Sequence, residues 1–141
     1  MKPEEFLDTA SSLVDSQSEA DLRTSISRSY YAVILFYRNY IASKLNIPPK
    51  RIDSVHTFIP RCFEASPSPE AKKIGERIGR SKADRHIADY NLSRTVSKIK
   101  AEDSLRLARG LIETAISSTA EKSVLEQAVI RAKAERWINP T

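Results

Sequence analysis

The stretch from Asp21 to Leu45, DLRTSISRSYYAVILFYRNYIASKL, carries the longest uninterrupted helical pattern in the chain. Leu22, Ile26, Tyr30, Ile34, Tyr37, Ile41 and Leu45 recur at spacings of three and four. One face of a helix is therefore apolar for roughly six turns, and other helices must cover it. Between Tyr30 and Tyr37 a second side is apolar too, through Tyr31, Leu35 and Phe36. A helix apolar on more than one side is buried from several directions, so this stretch is the expected centre of a bundle.

The remaining chain reads as helices arranged around it. Pro3, Glu4 and Glu5 favour a first helical turn, through a fixed φ and negative charge at the positive end of the helix dipole. That helix is expected to run to about Asp15, with Phe6, Leu7, Ala10, Leu13 and Val14 as its buried stripe. Ser18 and Asp21 form a capping-box-like start for the central helix, and Pro48 and Pro49 stop it, so the first two helices make an antiparallel hairpin. A short helix covers Val55 to Glu64, with Pro60 inside it unless Thr57 is the true cap. Ser68 then caps a helix with Pro69 in its first position. In that helix Ile74, Ile78 and Ile87 face inward, and Gly75 and Gly79 suggest close helix packing. Ser97 caps a last long helix whose core residues are Ile99, Leu105, Ala108, Ile112, Ala115 and Ile116. Ser118 and Glu121 form a second capping box for a C-terminal amphipathic helix through Val124, Leu125, Ala128, Val129 and Ala132. Its stripe fades toward Trp137; it is expected to dock on its own bundle, the alternative being that it meets a second chain.

The fold class that follows is all-α: an antiparallel four- to five-helix up-and-down bundle over residues 1–118, with a helical extension over 119–141. A chain of 141 residues is long enough for one continuous core. Its prolines sit mostly between periodic stretches, and no run alternates apolar and polar residues as a strand does. Cys62 is alone, which excludes an internal disulfide, and no signal-peptide pattern opens the chain; a reducing cytoplasm is the expected setting. The longest uncharged apolar run, Tyr30 to Tyr37, is far short of the roughly 20 residues that span a bilayer. Net charge is +5, and it is concentrated: residues 72–109 hold eleven Lys and Arg against five Asp and Glu. Such a segment attracts a polyanion by counterion release, or else is a solvated helix face.

His56 and His86 are the only histidines, and their spacing is not that of a helical metal pair, so neither metal nor cofactor is expected. Cys62 lacks the context of a nucleophile and reads as a small hydrophobe. The segment from Arg80 to Leu92, RSKADRHIADYNL, is more informative. Together with SRSYYA at 27–32, His56 and RHIADY at 85–90, it resembles the HEPN family of small helical bundles, over about residues 3–118. Short single-domain members of that family carry an Arg-Ala-Tyr-Tyr-Ala signature on the second helix, a His before a short third helix and Arg-x-x-Ala-Asp-Tyr near the end of the fourth.

The resemblance implies a dimer found in prokaryotic toxin–antitoxin and defence systems, often beside a nucleotidyltransferase partner. It also implies metal-independent RNA cleavage by an Arg followed, after four to six residues, by His, with two copies meeting across a dimer cleft. Such cleavage by the RNA 2′-hydroxyl needs a proton acceptor and donor and a fixed cation for the phosphorane charge, which His and Arg supply. Arg80 and His86 satisfy the spacing, but lie about 120° apart on a regular helix. The Arg aligned with the signature is Arg85, which is followed by Asp89 and Tyr90 rather than by His. Expected as catalytic are Arg80, Arg85 and His86; expected as binding residues are Asp89, Tyr90, Lys82, Arg28, Tyr31 and His56. The leading reading is a dimeric endoribonuclease acting on RNA. The alternative is a non-catalytic module that binds a nucleotide, RNA or a nucleotidyltransferase in the same cleft, and a purely structural dimerising bundle is the third reading.

Overall fold

Regular structure follows the periodicity. The computed structural model describes residues 1–52, 54–64 and 68–117, the side chains of 44, 45, 116 and 117 apart. Within them lie helices α1 (Glu5–Leu13), α2 (Glu19–Leu45), α3 (Val55–Glu64), α4 (Pro69–Tyr90) and α5 (Lys98–Ser117), with a 3-10 turn at Pro49–Arg51. The fold is thus an all-helical bundle. The C-terminal extension expected after residue 118 lies outside the described residues.

Three of the predicted caps are formed. Ser18, Ser68 and Ser97 accept hydrogen bonds from the amides of Asp21, Ala71 and Lys100 at 3.4, 3.5 and 3.2 Å. At the start of α2 the box is not reciprocal, because the Asp21 carboxylate accepts from Ser16 Oγ at 2.6 Å instead. Helix α2 ends on Asn46 in the left-handed region, φ 56°, and Ile47 N–H bonds back to Ala42 O. A polar side chain that tolerates αL therefore closes the helix one residue before the prolines could break it.

Side-chain contacts set the directions. Ser25 Oγ donates to Ala10 O, so α1 and α2 form the expected antiparallel hairpin. Arg23 near the start of α2 reaches the last turn of α4, and Asp84 of α4 meets Lys100 and Ser104 of α5. Hence α4 runs antiparallel to both. Tyr37 Oη donates to Leu111 O, which brings the later parts of α2 and α5 together and makes them parallel. On α2, Leu22, Ile26, Tyr30, Ile34, Tyr37 and Ile41 are all buried, while Tyr31, Leu35 and Phe36 are partly covered. Burying that stripe, at roughly 1.5–3 kcal/mol per large side chain, is what makes α2 the axis of the domain.

Three details differ from, or sharpen, the sequence expectation. Helix α1 ends at Leu13 with Val14 as its C-cap, short of Asp15. Ile99 is 70% exposed rather than in the core. The inward face of α5 is built on Ala101, Ser104, Leu105, Ala108, Leu111 and Ile112, and Ile99 stands about 160° around the helix from Ala101. Pro60 lies inside α3 and does not break it.

The two glycines of α4 play unlike parts. A Cβ on Gly75 would meet Glu64 N at 3.0 Å and Phe63 Cβ at 3.1 Å, whereas one on Gly79 would meet nothing within 4 Å. Close packing of α4 on α3 therefore requires only Gly75. Gly79→Ala is expected to raise stability by about 0.5–1 kcal/mol, and Gly75→Ala to lower it by about 1–3 kcal/mol, in chemical denaturation. Among the described residues no helix is long and apolar enough to cross a membrane.

Candidate functional site

The last two turns of α4 lie against the first half of α2, and this packing places Arg85 on a wall of tyrosines. Its Cζ stands 5.1 Å from the Tyr30 ring centre, 5.6 Å from Tyr31 and 6.0 Å from Tyr90. Tyr30 is fully buried, Tyr31 half-buried and Tyr90 65% exposed, so the rings grade from core to solvent around one guanidinium. Only 13% of the Arg85 side chain is exposed. Yet Nε is buried without a hydrogen-bond partner, and no group among the described residues accepts a hydrogen bond from this guanidinium. Asp89 Oδ2 lies 3.8 Å from Nε, an ion-pair distance beyond hydrogen-bonding reach, and accepts instead from Ser27 Oγ at 3.3 Å. The i, i+4 pair expected of Arg85 and Asp89 is therefore a loose one.

A second cation reaches the same wall. Arg28 Cζ lies 4.7 Å from the Tyr31 ring centre and 5.4 Å from that of Phe6, so Tyr31 is shared by two guanidinium groups. Each such contact is worth about 0.5–2 kcal/mol and holds a positive charge in place without using its N–H groups.

His56 enters from the first turn of α3. Its Nδ1 lies 2.6 Å from the Tyr30 hydroxyl, and its ring stacks on Tyr30 at 5.6 Å and 21°. Pro60 explains what fixes its backbone. In a regular helix the amide of residue 60 would bond to His56 O; proline has no N–H, and Lys82 Nζ donates to that carbonyl at 3.0 Å. The proline inside α3 thus creates the acceptor that ties α3 to α4. Burial, then the charges of Arg85 and Lys82, hold the His56 pKa below that of an ordinary imidazole.

Of the expected residues, the fold brings together Arg85, Asp89, Tyr90, Tyr31, Arg28, Lys82 and His56. His86 is at the rim: it is exposed, and its ring packs at 5.1 Å and 51° on Tyr90. Gly79, Lys82, Ala83, Arg85, His86 and Ile87 line an open hollow of about 440 Å³ along α4. Arg80 stands apart, exposed and about 140° around the helix from Arg85.

Two residues that the sequence reading passed over position the end of α4. Arg23 Nη1 donates to Ile87 O, Ala88 O and Asn91 O at 3.1, 2.9 and 3.1 Å, and its Nη2 donates to Arg94 O and to Glu19 Oε1. Glu19 Oε1 also accepts from the Val96 amide at 2.8 Å. The last carbonyls of α4 and those of the α4–α5 connection are thereby clamped to the start of α2, although Ile87 O and Asn91 O also accept the amides of Asn91 and Arg94. The only sequence signal was an Arg on an otherwise polar face of α2, which by itself points nowhere.

Chemically, the arrangement is a desolvated, aromatic-caged guanidinium with its hydrogen-bonding capacity unspent, flanked by further cations and two imidazoles. Such an arrangement can accept an oxyanion. No curated protein and no solved structure matches the chain. The model of the HEPN domain matches residues 2–122, most of the chain, and the protein belongs to the HEPN domain family.

Proposed function

We propose that the protein acts on RNA as a component of a toxin–antitoxin or defence system, as a metal-independent endoribonuclease that works as a dimer. In this reading Arg85 clamps the scissile phosphate and His86 is the acid/base group. The observation that carries it is the Arg85 guanidinium, largely buried and without a hydrogen-bond acceptor among the described residues. A largely desolvated guanidinium with only a 3.8 Å ion pair to Asp89 has unmet hydrogen-bonding capacity, which a bound phosphate would satisfy by bidentate hydrogen bonding. His86 shares the α4 hollow with Arg85 and is open to a substrate. Its imidazole can take the 2′-hydroxyl proton, while Arg85 stabilises the charge that develops on the phosphorane. A dimer would place two such hollows along one RNA strand, and the exposed Tyr90 ring suits stacking on an unpaired base.

The test is cleavage of a mixed RNA pool with EDTA present throughout. Wild type is expected to yield 2′,3′-cyclic phosphate ends, and His86→Ala to lose this activity; a fully active His86→Ala protein would remove His86 from the mechanism. Arg80→Ala is expected to keep the cleavage rate and lower the salt slope of RNA binding by about one, as for a single flanking phosphate contact.

A specific observation favours a second reading, a non-catalytic module for RNA, a nucleotide or a nucleotidyltransferase partner. Asp89 and Tyr90 follow Arg85 where the active pattern has His, and His86 packs on Tyr90. Absence of cleavage by a dimeric wild type, with anion binding that Arg85→Ala abolishes, would establish that reading over the first.

A further inference from the structure

The hydrogen bond between Tyr30 and His56 fixes more than a position. Tyr30 is fully buried, and burial is the main cause that pushes its pKa up to about 12, so the phenol keeps its proton. Among the described residues the hydroxyl has one acceptor within reach, His56 Nδ1 at 2.6 Å. Directing the proton elsewhere would strand a buried donor. Nδ1 therefore accepts, and a neutral imidazole whose Nδ1 accepts carries its own proton on Nε2. A second proton is opposed by burial and by the charges of Arg85 and Lys82. The imidazole is thus neutral, and its Nε2–H has no partner among the described residues. It also lies where the anion receptor is: His56 stacks on Tyr30 and meets Tyr31 edge-on at 6.1 Å, and Arg85 lies against the same two rings.

We infer that Tyr30 and His56 form a preset neutral donor, in which His56 Nε2–H binds an oxygen of the same nucleic-acid backbone phosphate that Arg85 holds. The inference rests on the reading of Arg85 as a phosphate clamp. A neutral donor suits this place because an imidazolium would repel Arg85 and Lys82, whereas a neutral N–H adds a directed hydrogen bond at no charge cost. Its direction is set before the ligand arrives, by the Tyr30 hydroxyl on one side and by the Lys82 bond to the His56 carbonyl on the backbone. His56 is then a binding residue, and Tyr30 is a positioning residue that acts through it.

The experiment is long-range ¹H–¹⁵N NMR on full-length protein labelled at histidine, with His86→Gln separating the two imidazoles. At neutral pH, His56 is expected as the neutral Nε2–H tautomer. Inorganic phosphate, and then a 2′-O-methyl oligonucleotide that cannot be cleaved, should shift that Nε2–H. Tyr30→Phe should yield a mixed tautomer and weaken phosphate binding about tenfold, the value of one neutral hydrogen bond. If Tyr30→Phe fails to fold, His56→Gln and His56→Ala carry the comparison: glutamine retains an N–H donor and should bind phosphate more tightly than alanine. An Nδ1–H tautomer or an imidazolium in wild type, a His56 that phosphate leaves unmoved, or equal binding by the Gln and Ala variants overturns the inference. Phosphate that moves His56 in a protein that cuts no RNA sinks the nuclease reading alone. RNA cleavage with an unresponsive His56 sinks this inference alone.

Discussion

Arg85→Ala is expected to lower metal-independent RNA cleavage by about a hundred- to a thousand-fold while leaving the domain folded. The functional loss follows from the role of a fixed cation at a phosphorane, whose removal typically costs two to three orders of magnitude. The structural tolerance follows from what Arg85 lacks. Its guanidinium makes no hydrogen bond among the described residues, and its ion pair with Asp89 is 3.8 Å long. Alanine therefore forfeits contacts with three tyrosine rings, at about 0.5–2 kcal/mol each, but also removes a poorly solvated charge. The two effects oppose, so the net change in unfolding free energy should stay within about 1–2 kcal/mol. Arg85→Lys should not restore activity, because an ammonium cannot reproduce the planar fork. Single-turnover cleavage assays beside urea melts of the same preparations check both halves. A folded Arg85→Ala protein that cleaves at the wild-type rate would rule out the clamp.

The largest stability effect is expected at Arg23, a residue with no place in the chemistry. Its side chain is 11% exposed, and it donates to four backbone carbonyls at the end of α4 and in the α4–α5 connection, as well as to Glu19. In Arg23→Ala, Ile87 O and Asn91 O keep the amides of Asn91 and Arg94, but Ala88 O and Arg94 O are left to find water at a partly buried seam. The expected cost is roughly 2–4 kcal/mol, or about 10 °C in Tm for a domain of this size. Lysine should recover little, since one ammonium cannot span acceptors on both sides of the connection. Acid should loosen the same clamp. The Val96 amide first, and Arg23 second, hold the Glu19 carboxyl below the usual carboxylate range. A depressed carboxyl pKa contributes stability that is present above its unfolded value of about 4.5 and is lost as pH falls through the folded value. Protection of the Val96 amide, taken as exchange relative to its intrinsic rate at each pH, should accordingly fall as pH drops below about 4.5 in wild type and be low at all pH values in Glu19→Ala. An Arg23→Ala variant as stable as wild type would show that the clamp carries no load.

The sequence by itself determined the helices, their caps and the centre of the core, because these depend on periodicity and on the side chains of near neighbours. Ser18, Ser68 and Ser97 act within one turn of their own position, and the stripe from Leu22 to Ile41 is fixed by a repeat of three and four. The motif carrying Arg85, Asp89 and Tyr90 was legible in the same way, as a local string. Ile99 shows the limit: it is apolar and near a cap, but which side of α5 faces inward is decided by α2 and α4, not by α5. Gly75 and Gly79 look alike in the chain, and only the approach of Glu64 and Phe63 separates them. Pro60 reads as a helix breaker until Lys82, on another helix, takes the carbonyl it leaves free. The clamp of Arg23 and the meeting of Tyr30, His56 and Arg85 join residues tens of positions apart. Such contacts are set by how whole helices pack, and no spacing along the chain encodes them; tertiary structure alone made the Arg85 guanidinium and the His56 imidazole neighbours on one tyrosine wall.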